Sequence, residues 1–296
     1  YYAATYISGT PIVPKAWNSV DIETGTMTKL ADFSESSPLY VDMTYDYARN
    51  KLFGIYHYNS NSTSVAEIDP ADGSVKETYA DLPMMWMLGI AASYEGDIYL
   101  IGRGNTPTYN LYKLDDARNL LTVGRVQSVS DYMQSMDFDR KTGKLYWAGA
   151  SRWDSYLYEV NISDGSCTTL TPVADNGELT GLYIPFKPAP DGTPAAASDF
   201  KVANPDHDGN VTLTFNVPVK TVDGKELASI SGWKIMCDET ILDIPYADVS
   251  LGEAVSVNAL VEPGMHLFKV IFINETGEGA AANCKTYIGI DTPAAP

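Results

Sequence analysis

Three large aromatic residues recur at one interval, Tyr40, Trp86 and Tyr132, each 46 positions after the last, and the next position in that register is Glu178. A second set follows them in polar segments: Tyr58, then Arg103 and Tyr109, then Arg152 and Trp153. Flat rings beside guanidinium and carboxylate groups stack on pyranose faces or grip an extended peptide, because aromatic side chains offer apolar area at low entropic cost. These nine residues are candidate ligand-binding residues if the fold brings them to one surface. The structural alternative is that Tyr40, Trp86 and Tyr132 wedge between neighbouring elements. The same choice faces Met84-Met85-Trp86-Met87, a run of soft side chains that suits an adaptable surface or a core plug.

Catalytic constellations are scarce. His57, His207 and His266 are the only histidines, and no two stand at metal-ligand spacing. The best oxygen-ligand loop, residues 204–210, lacks the distal glutamate of a calcium loop and reads as a turn. No catalytic residue, metal or cofactor is expected. Cleavage of a polysaccharide needs two carboxylates about 5 to 10 Å apart across a cleft, and Glu178 with Asp42 or Asp137 is the pairing the sequence offers. Asp42, Gln134 and Thr180 share a register position from which they would face an axis, holding a cation or water, or else bond to adjacent strands.

The elements that must position these residues are set by an internal repeat of about 46 residues, present four times in the first 187 residues. Each copy carries an apolar run and a tight turn that closes on Gly25, Gly73, Asn119 or Gly165, residues that tolerate positive φ. Each copy also reads as four short strands; in the second they span 40–46, 51–58, 64–69 and 74–80. Four strands in such a length make one blade of a β-propeller. The chain opens on a second strand, and the missing inner strand is expected at 178–185, completing the first blade and closing a four-bladed ring. A fragment of a larger ring is the competing reading. In a propeller the loops entering the inner strands and those joining second to third strands share one face, which is where the nine candidates would gather.

Residues 185–198 hold four prolines and no apolar alternation, and read as a stiff linker. Beyond it, strands are expected over 199–203, 210–217, 232–237, 254–260, 266–274 and 285–291, a β-sandwich pattern. The stretches 211–218, 232–238 and 266–279, the last ending Asn274-Glu275-Thr276-Gly277-Glu278-Gly279, resemble a fibronectin type III module, with Phe215 where that family usually has Trp. The resemblance implies a spacer or adhesion unit without chemistry of its own. The expected organisation is an all-β chain: a propeller over 1–184, a linker over 185–198, a fibronectin type III-like sandwich over 199–291, and a further linker beginning at 292–296.

With 38 acidic and 20 basic residues the net charge is −18. No basic patch exists to meet a nucleic acid, and no apolar run is long enough to span a membrane. The fibronectin resemblance implies that Cys237 and Cys284 fall on strands separated by a third, too far apart for a disulfide, so three unpaired thiols are expected, with a disulfide as the alternative. The architecture resembles that of extracellular adhesion and glycan-capture proteins of Gram-negative anaerobes, and the resemblance implies a secreted or surface-attached protein of a Gram-negative bacterium that binds carbohydrate or an extracellular protein. A propeller enzyme acting on polysaccharide and a purely structural spacer are the alternatives.

Overall fold

Short runs rich in Tyr, Val, Ile and Thr, punctuated by Gly, Asn and Asp, fold into strands throughout the computed structural model. It describes residues 1–7, 13–59, 62–127, 134–151, 154–173, 175, 177–205 and 208–289. Two compact units form, Tyr1–Phe186 and Lys187–Pro296.

In the first unit, β1 (Tyr2–Ile7), β2 (Val13–Val20) and β3 (Met27–Asp32) make a three-stranded antiparallel sheet. Three four-stranded meanders follow. They are β4 (Tyr40–Asp46), β5 (Lys51–Asn59), β6 (Ser62–Ile68) and β7 (Val75–Pro83); β8 (Trp86–Ala92), β9 (Ile98–Arg103), β10 (Tyr109–Leu114) and β11 (Leu120–Arg125); and β12 (Ser135–Asp139), β13 (Lys144–Ala150), β14 (Ser155–Val160) and β15 (Cys167–Pro172). These sheets are the blades of a small β-propeller. β8 lies beside both β4 and β12, so the first strand of each meander is the inner one. Inner strands are buried on both faces, whereas β3 and β15 at the outside are almost wholly exposed.

Side chains tie the inner strands together. The Ile90 and Ala92 amides donate to Asp42 Oδ2 and Thr44 Oγ1, both at 3.0 Å. The Leu182 and Ile184 amides donate to Ser135 Oγ at 3.0 Å and Asp137 Oδ2 at 2.8 Å. Residues 182–184 therefore stand beside β12 as β8 stands beside β4. The Tyr183 hydroxyl meets that of Tyr1, with ring centroids 4.2 Å apart, which brings this segment against the first blade. The strand expected at 178–185 does not form: residues 177–185 have no ladder, because their bonds run to side chains of β12 instead of to a backbone partner, and Glu178, Leu179 and Thr180 are exposed.

In the second, third and fourth repeats the third-to-fourth-strand turn docks on the preceding blade. Gly73, at φ 74°, sits where a Cβ would fall 2.6 Å from the Trp17 ring, and Trp17 Nε1 donates to Pro70 O at 3.0 Å. In the third copy the left-handed residue is Arg118, at φ 66°, and not Asn119. Arg118 holds that conformation while its guanidinium bonds Glu77 at 2.9 Å and lies 4.3 Å from the Tyr79 ring. In the fourth, a Cβ on Gly124 would fall 1.7 Å from Asp164 O, so only glycine lets these two blades meet.

The axis of the ring is filled. The Asp42 carboxylate reaches from β4 to Ile90 on β8 and across to Ser135 Oγ (2.8 Å) and Met136 N (3.4 Å) on β12. Met136 fills the space beside Gly89. Gln134 does not share this axis, since it accepts from Trp147 Nε1 at 3.0 Å and donates to Ala150 O. At the end of the inner strands Tyr47, Tyr94 and Arg140 follow one another at spacings of 47 and 46, with Phe186 46 further on. Phe186 lies edge-on to Tyr47 at 4.9 Å and to Tyr94 at 5.8 Å, and Arg140 lies 5.1 Å from the Tyr47 ring. One side chain from each repeat thus caps the axis.

The second unit contains β16 (Ser198–Ala203), β17 (Asn210–Asn216), β18 (Gly232–Cys237), β19 (Thr240–Ile241), β20 (Ala254–Leu260), β21 (Gly264–Asn274) and β22 (Gly277–Ile288). Sheets β16-β17-β20 and β19-β18-β21-β22 enclose a core of Leu213, Phe215, Ile235, Phe268, Val270 and Phe272, a β-sandwich. The segment expected as linker is largely part of this unit. Thr193 is fully buried and Ala197 joins the core. Ala195 N donates to Lys220 O at 2.9 Å, Val222 N to Thr193 O at 3.0 Å and Ala280 N to Pro194 O at 2.9 Å. Prolines lack a donor but keep their carbonyls, so a proline-rich run can still line a sheet. This contact explains the Asn274–Gly279 motif: Asn274 Nδ2 holds Gly192 O at 2.9 Å, and a Cβ on Gly279 would strike Pro194 O.

Candidate functional site

The repeat brings three of the candidate residues into one row. Trp86 pairs with Arg103 across β8 and β9, and Arg103 with Tyr109 across β9 and β10. Cross-strand partners project on the same face of a sheet, so these side chains lie side by side at one end of the third blade. Trp86 and Arg103 are half-buried, whereas Tyr109 is buried in the core between blades. The row therefore offers a ligand Trp86 and Arg103, with Tyr109 as their support.

Neighbouring elements fix Trp86. The His57 ring from the second blade stacks on it, with centroids 3.5 Å apart and planes at 29°. His57 Nε2 faces Met87 O at 2.8 Å. Thr63 Oγ1 donates to Met85 O at 2.9 Å and accepts from Met87 N at 3.1 Å, so both peptides beside Trp86 are held. The Trp86 indole N–H is shielded from solvent and has no acceptor among the described residues. The run of soft residues around it divides. Met87 is wholly buried, Met85 packs beside the core, and Met84 is exposed at φ 60°. A long side chain in the left-handed region is uncommon and costs of order 1 kcal/mol; here the Ser62 hydroxyl accepts the Met84 N–H at 3.3 Å.

The other candidates distribute differently. Tyr40 is buried, its hydroxyl donating to Gly73 O at 2.9 Å and its amide donating to the Tyr6 hydroxyl at 2.8 Å. It is an interblade wedge and not a ligand contact, because its polar atoms and ring are already engaged. Glu178 is exposed in the segment without a ladder. Tyr58 is the penultimate residue of β5, and its side chain lies outside the described residues, as do Tyr132, Arg152, Trp153, and Asp206 and His207 of the 204–210 loop.

The proposed carboxylate pairings do not open on a cleft. Burial pushes the Asp42 carboxyl up to about 8, against the lowering effect of the Ile90 amide, the Ser135 hydroxyl and further backbone donors. Surrounded by donors, it is a hydrogen-bond hub and not a cation ligand. Asp137 is buried with Arg140 at 2.9 Å, their side chains 7% and 2% exposed. Burial raises its pKa and the Arg140 charge lowers it, with the raising effect larger. Glu178 is exposed, whereas Asp42 and Asp137 are both buried.

A feature missed in the sequence lies between the first two blades. A groove of about 520 Å³ is lined by Phe33, Ser34, Ser36, Ser37, Tyr56 and Asp72 among others, a size within the ordinary range for small-ligand sites. Its sequence signal is local, a hydroxyl-rich Ser34-Glu35-Ser36-Ser37 run directly after Phe33 that does not recur at the 46-residue interval.

No protein-family model matches the chain, and no curated protein matches it. Among solved structures, the chain is distantly similar to one from the nidogen/laminin complex, at 10% identity over 95% of this chain and 93% of that one, with a TM-score of 0.39. TolB from Acinetobacter baumannii is similar at 12% identity and a TM-score of 0.39; the match covers 97% of this chain but 64% of TolB. The periplasmic gluconolactonase of Pseudomonas aeruginosa is similar at 12% identity, over 94% of this chain and 78% of that one, with a TM-score of 0.34.

Proposed function

We propose that this chain is a non-catalytic carbohydrate-binding protein, secreted or attached at a cell surface, whose propeller engages ligand at the end of the third blade. The observation that carries the reading is the prearranged Trp86–Arg103 pair: an indole stacked on His57, flanked by a guanidinium and by exposed Met84. A pyranose offers an apolar face for such a ring and hydroxyls for such a donor. The axis is filled, which directs binding to the rim. The sandwich, with its likeness in sequence to a fibronectin type III module, serves as a spacer. No helix among the described residues is long and apolar enough to cross a membrane.

The test is a glycan array probed with the full chain, followed by titration of any hit against Trp86→Ala and Tyr56→Ala. Saturable binding weakened about tenfold or more by Trp86→Ala and untouched by Tyr56→Ala supports the rim. Loss only in Tyr56→Ala moves the site to the groove between the first blades. A blank array beside capture of a matrix protein replaces carbohydrate with a protein ligand, and no binding of either leaves the spacer reading.

A further inference from the structure

The second unit brings together three side chains that no spacer role requires. Cys237 ends β18, Asp238 follows it, and His266 lies on β21, the strand paired with β18. The thiol sulfur, a carboxylate oxygen and an imidazole nitrogen all lie within 4.8 Å of one another. Cys237 pairs with Phe268 and Phe268 with Cys284, so Cys237, Phe268 and Cys284 form one row across three strands; His266, two residues before Phe268, shares its face. The intervening strand explains why the cysteines are free thiols.

We propose that Cys237, Asp238 and His266 form a zinc site at this corner of the sandwich. The donor set is one soft sulfur, one imidazole and one carboxylate, which suits zinc over calcium or magnesium. The outer hydrogen bonds are those a metal site uses. His266 Nε2 lies 2.8 Å from Glu262 O, which fixes that nitrogen as the donor and turns Nδ1 inward. Nδ1 faces Asp238 Oδ2 at 2.8 Å. The Leu267 amide donates to the other oxygen, Oδ1, at 3.0 Å, leaving Oδ2 for the metal. Asp238 takes a left-handed backbone, φ 54°, which turns its carboxylate back over the strand end.

Zinc would replace the proton between Nδ1 and Oδ2, and coordination by sulfur would release the thiol proton. With zinc–ligand lengths of about 2.0 to 2.3 Å, the widest separation in the trio closes by at most roughly 1 Å on binding. Asp238 is half exposed, so water reaches the fourth position. No sequence spacing announced the site, because its ligands come from two strands 28 residues apart.

The experiment titrates the full chain with cobalt(II) and then displaces it with zinc. Binding at one ion per chain is expected, with the near-ultraviolet thiolate-to-cobalt band and the intense visible bands of a four-coordinate ion. Cys237→Ser should abolish the charge-transfer band, Cys167→Ser and Cys284→Ser should keep it, and His266→Gln should weaken binding by at least about tenfold. His266 is partly exposed, its side chain 16% accessible, and glutamine keeps its polar contacts, so this variant keeps the test valid if Cys237→Ser misfolds. No stoichiometric binding, a charge-transfer band that survives Cys237→Ser, or affinity unmoved by His266→Gln would each overturn the site.

Discussion

Replacing Asp42 with asparagine should make the protein more stable at slightly alkaline pH. The folded-state carboxyl titrates at about 8 because it is buried at the propeller axis, whereas in an unfolded chain an aspartate titrates near about 3.9. Between those values the folded state holds a proton that the unfolded state has released. The proton-linked stabilisation is therefore complete below the unfolded pKa and is lost as pH rises through the folded one. The slope is about 1.4 kcal/mol per pH unit, or roughly 2.7 kcal/mol between about pH 5.5 and about pH 7.5. Asparagine imitates the neutral form. Its Oδ1 accepts from the Ile90 and Met136 amides while Nδ2 donates to Ser135 Oγ, which already accepts from Leu182. Guanidinium unfolding of both proteins across that window should give a difference in stability that grows with pH in favour of Asp42→Asn. Parallel pH dependences, with the variant weaker throughout, would show that Asp42 is an ionised acceptor of the hydrogen bonds around it and would refute this account.

Two further substitutions test how the blades are joined. Gly124→Ala would push a Cβ to 1.7 Å from Asp164 O and force the third and fourth blades apart; a loss of roughly 2 to 4 kcal/mol in urea unfolding is expected, and an unchanged midpoint would mean the backbone there yields freely. Arg140→Ala leaves the buried Asp137 carboxylate without its ion pair, which should cost about 3 to 5 kcal/mol; the double variant Asp137→Leu with Arg140→Met should recover most of that loss in the same assay.

Much of the fold was legible because repeat and turn chemistry act locally. The expected strand 40–46 is β4, 232–237 is β18 and 254–260 is β20. Where the reading failed, a tertiary contact decided the outcome. The last strand was expected from residue 285 but β22 begins at Gly277, since Gly277-Glu278-Gly279-Ala280-Ala281-Ala282 has no strand-like side chains and is extended by pairing with β21 and by the close approach of Pro194. Arg118 takes the left-handed turn position that Asn119 would suit, because Glu77 and Tyr79 of the neighbouring blade hold it. At the site, Trp86 and Arg103 pair across β8 and β9, but periodicity in the sequence says nothing of depth. Tyr40 and Tyr109 occupy the same levels and are buried, because interblade distance, not periodicity, sets exposure. The aromatic cap of Tyr47, Tyr94 and Phe186 was equally periodic, and it was hidden by the different residue type, Arg140, in the third of the four positions.

The way residues 182–186 are held has a mechanical consequence. Two amide-to-side-chain bonds to β12, hydroxyl bonds from Tyr1 and Tyr47 and a few ring contacts fasten this stretch, where a ladder would share a load among many bonds at once. Tension arriving along the chain from Lys187 meets Phe186 first, then the Ile184 bond, then the Leu182 bond, one after another. The propeller should therefore peel open at low force from its last residues, while the meanders behind them, each bonded strand to strand, resist until the pull turns to shear.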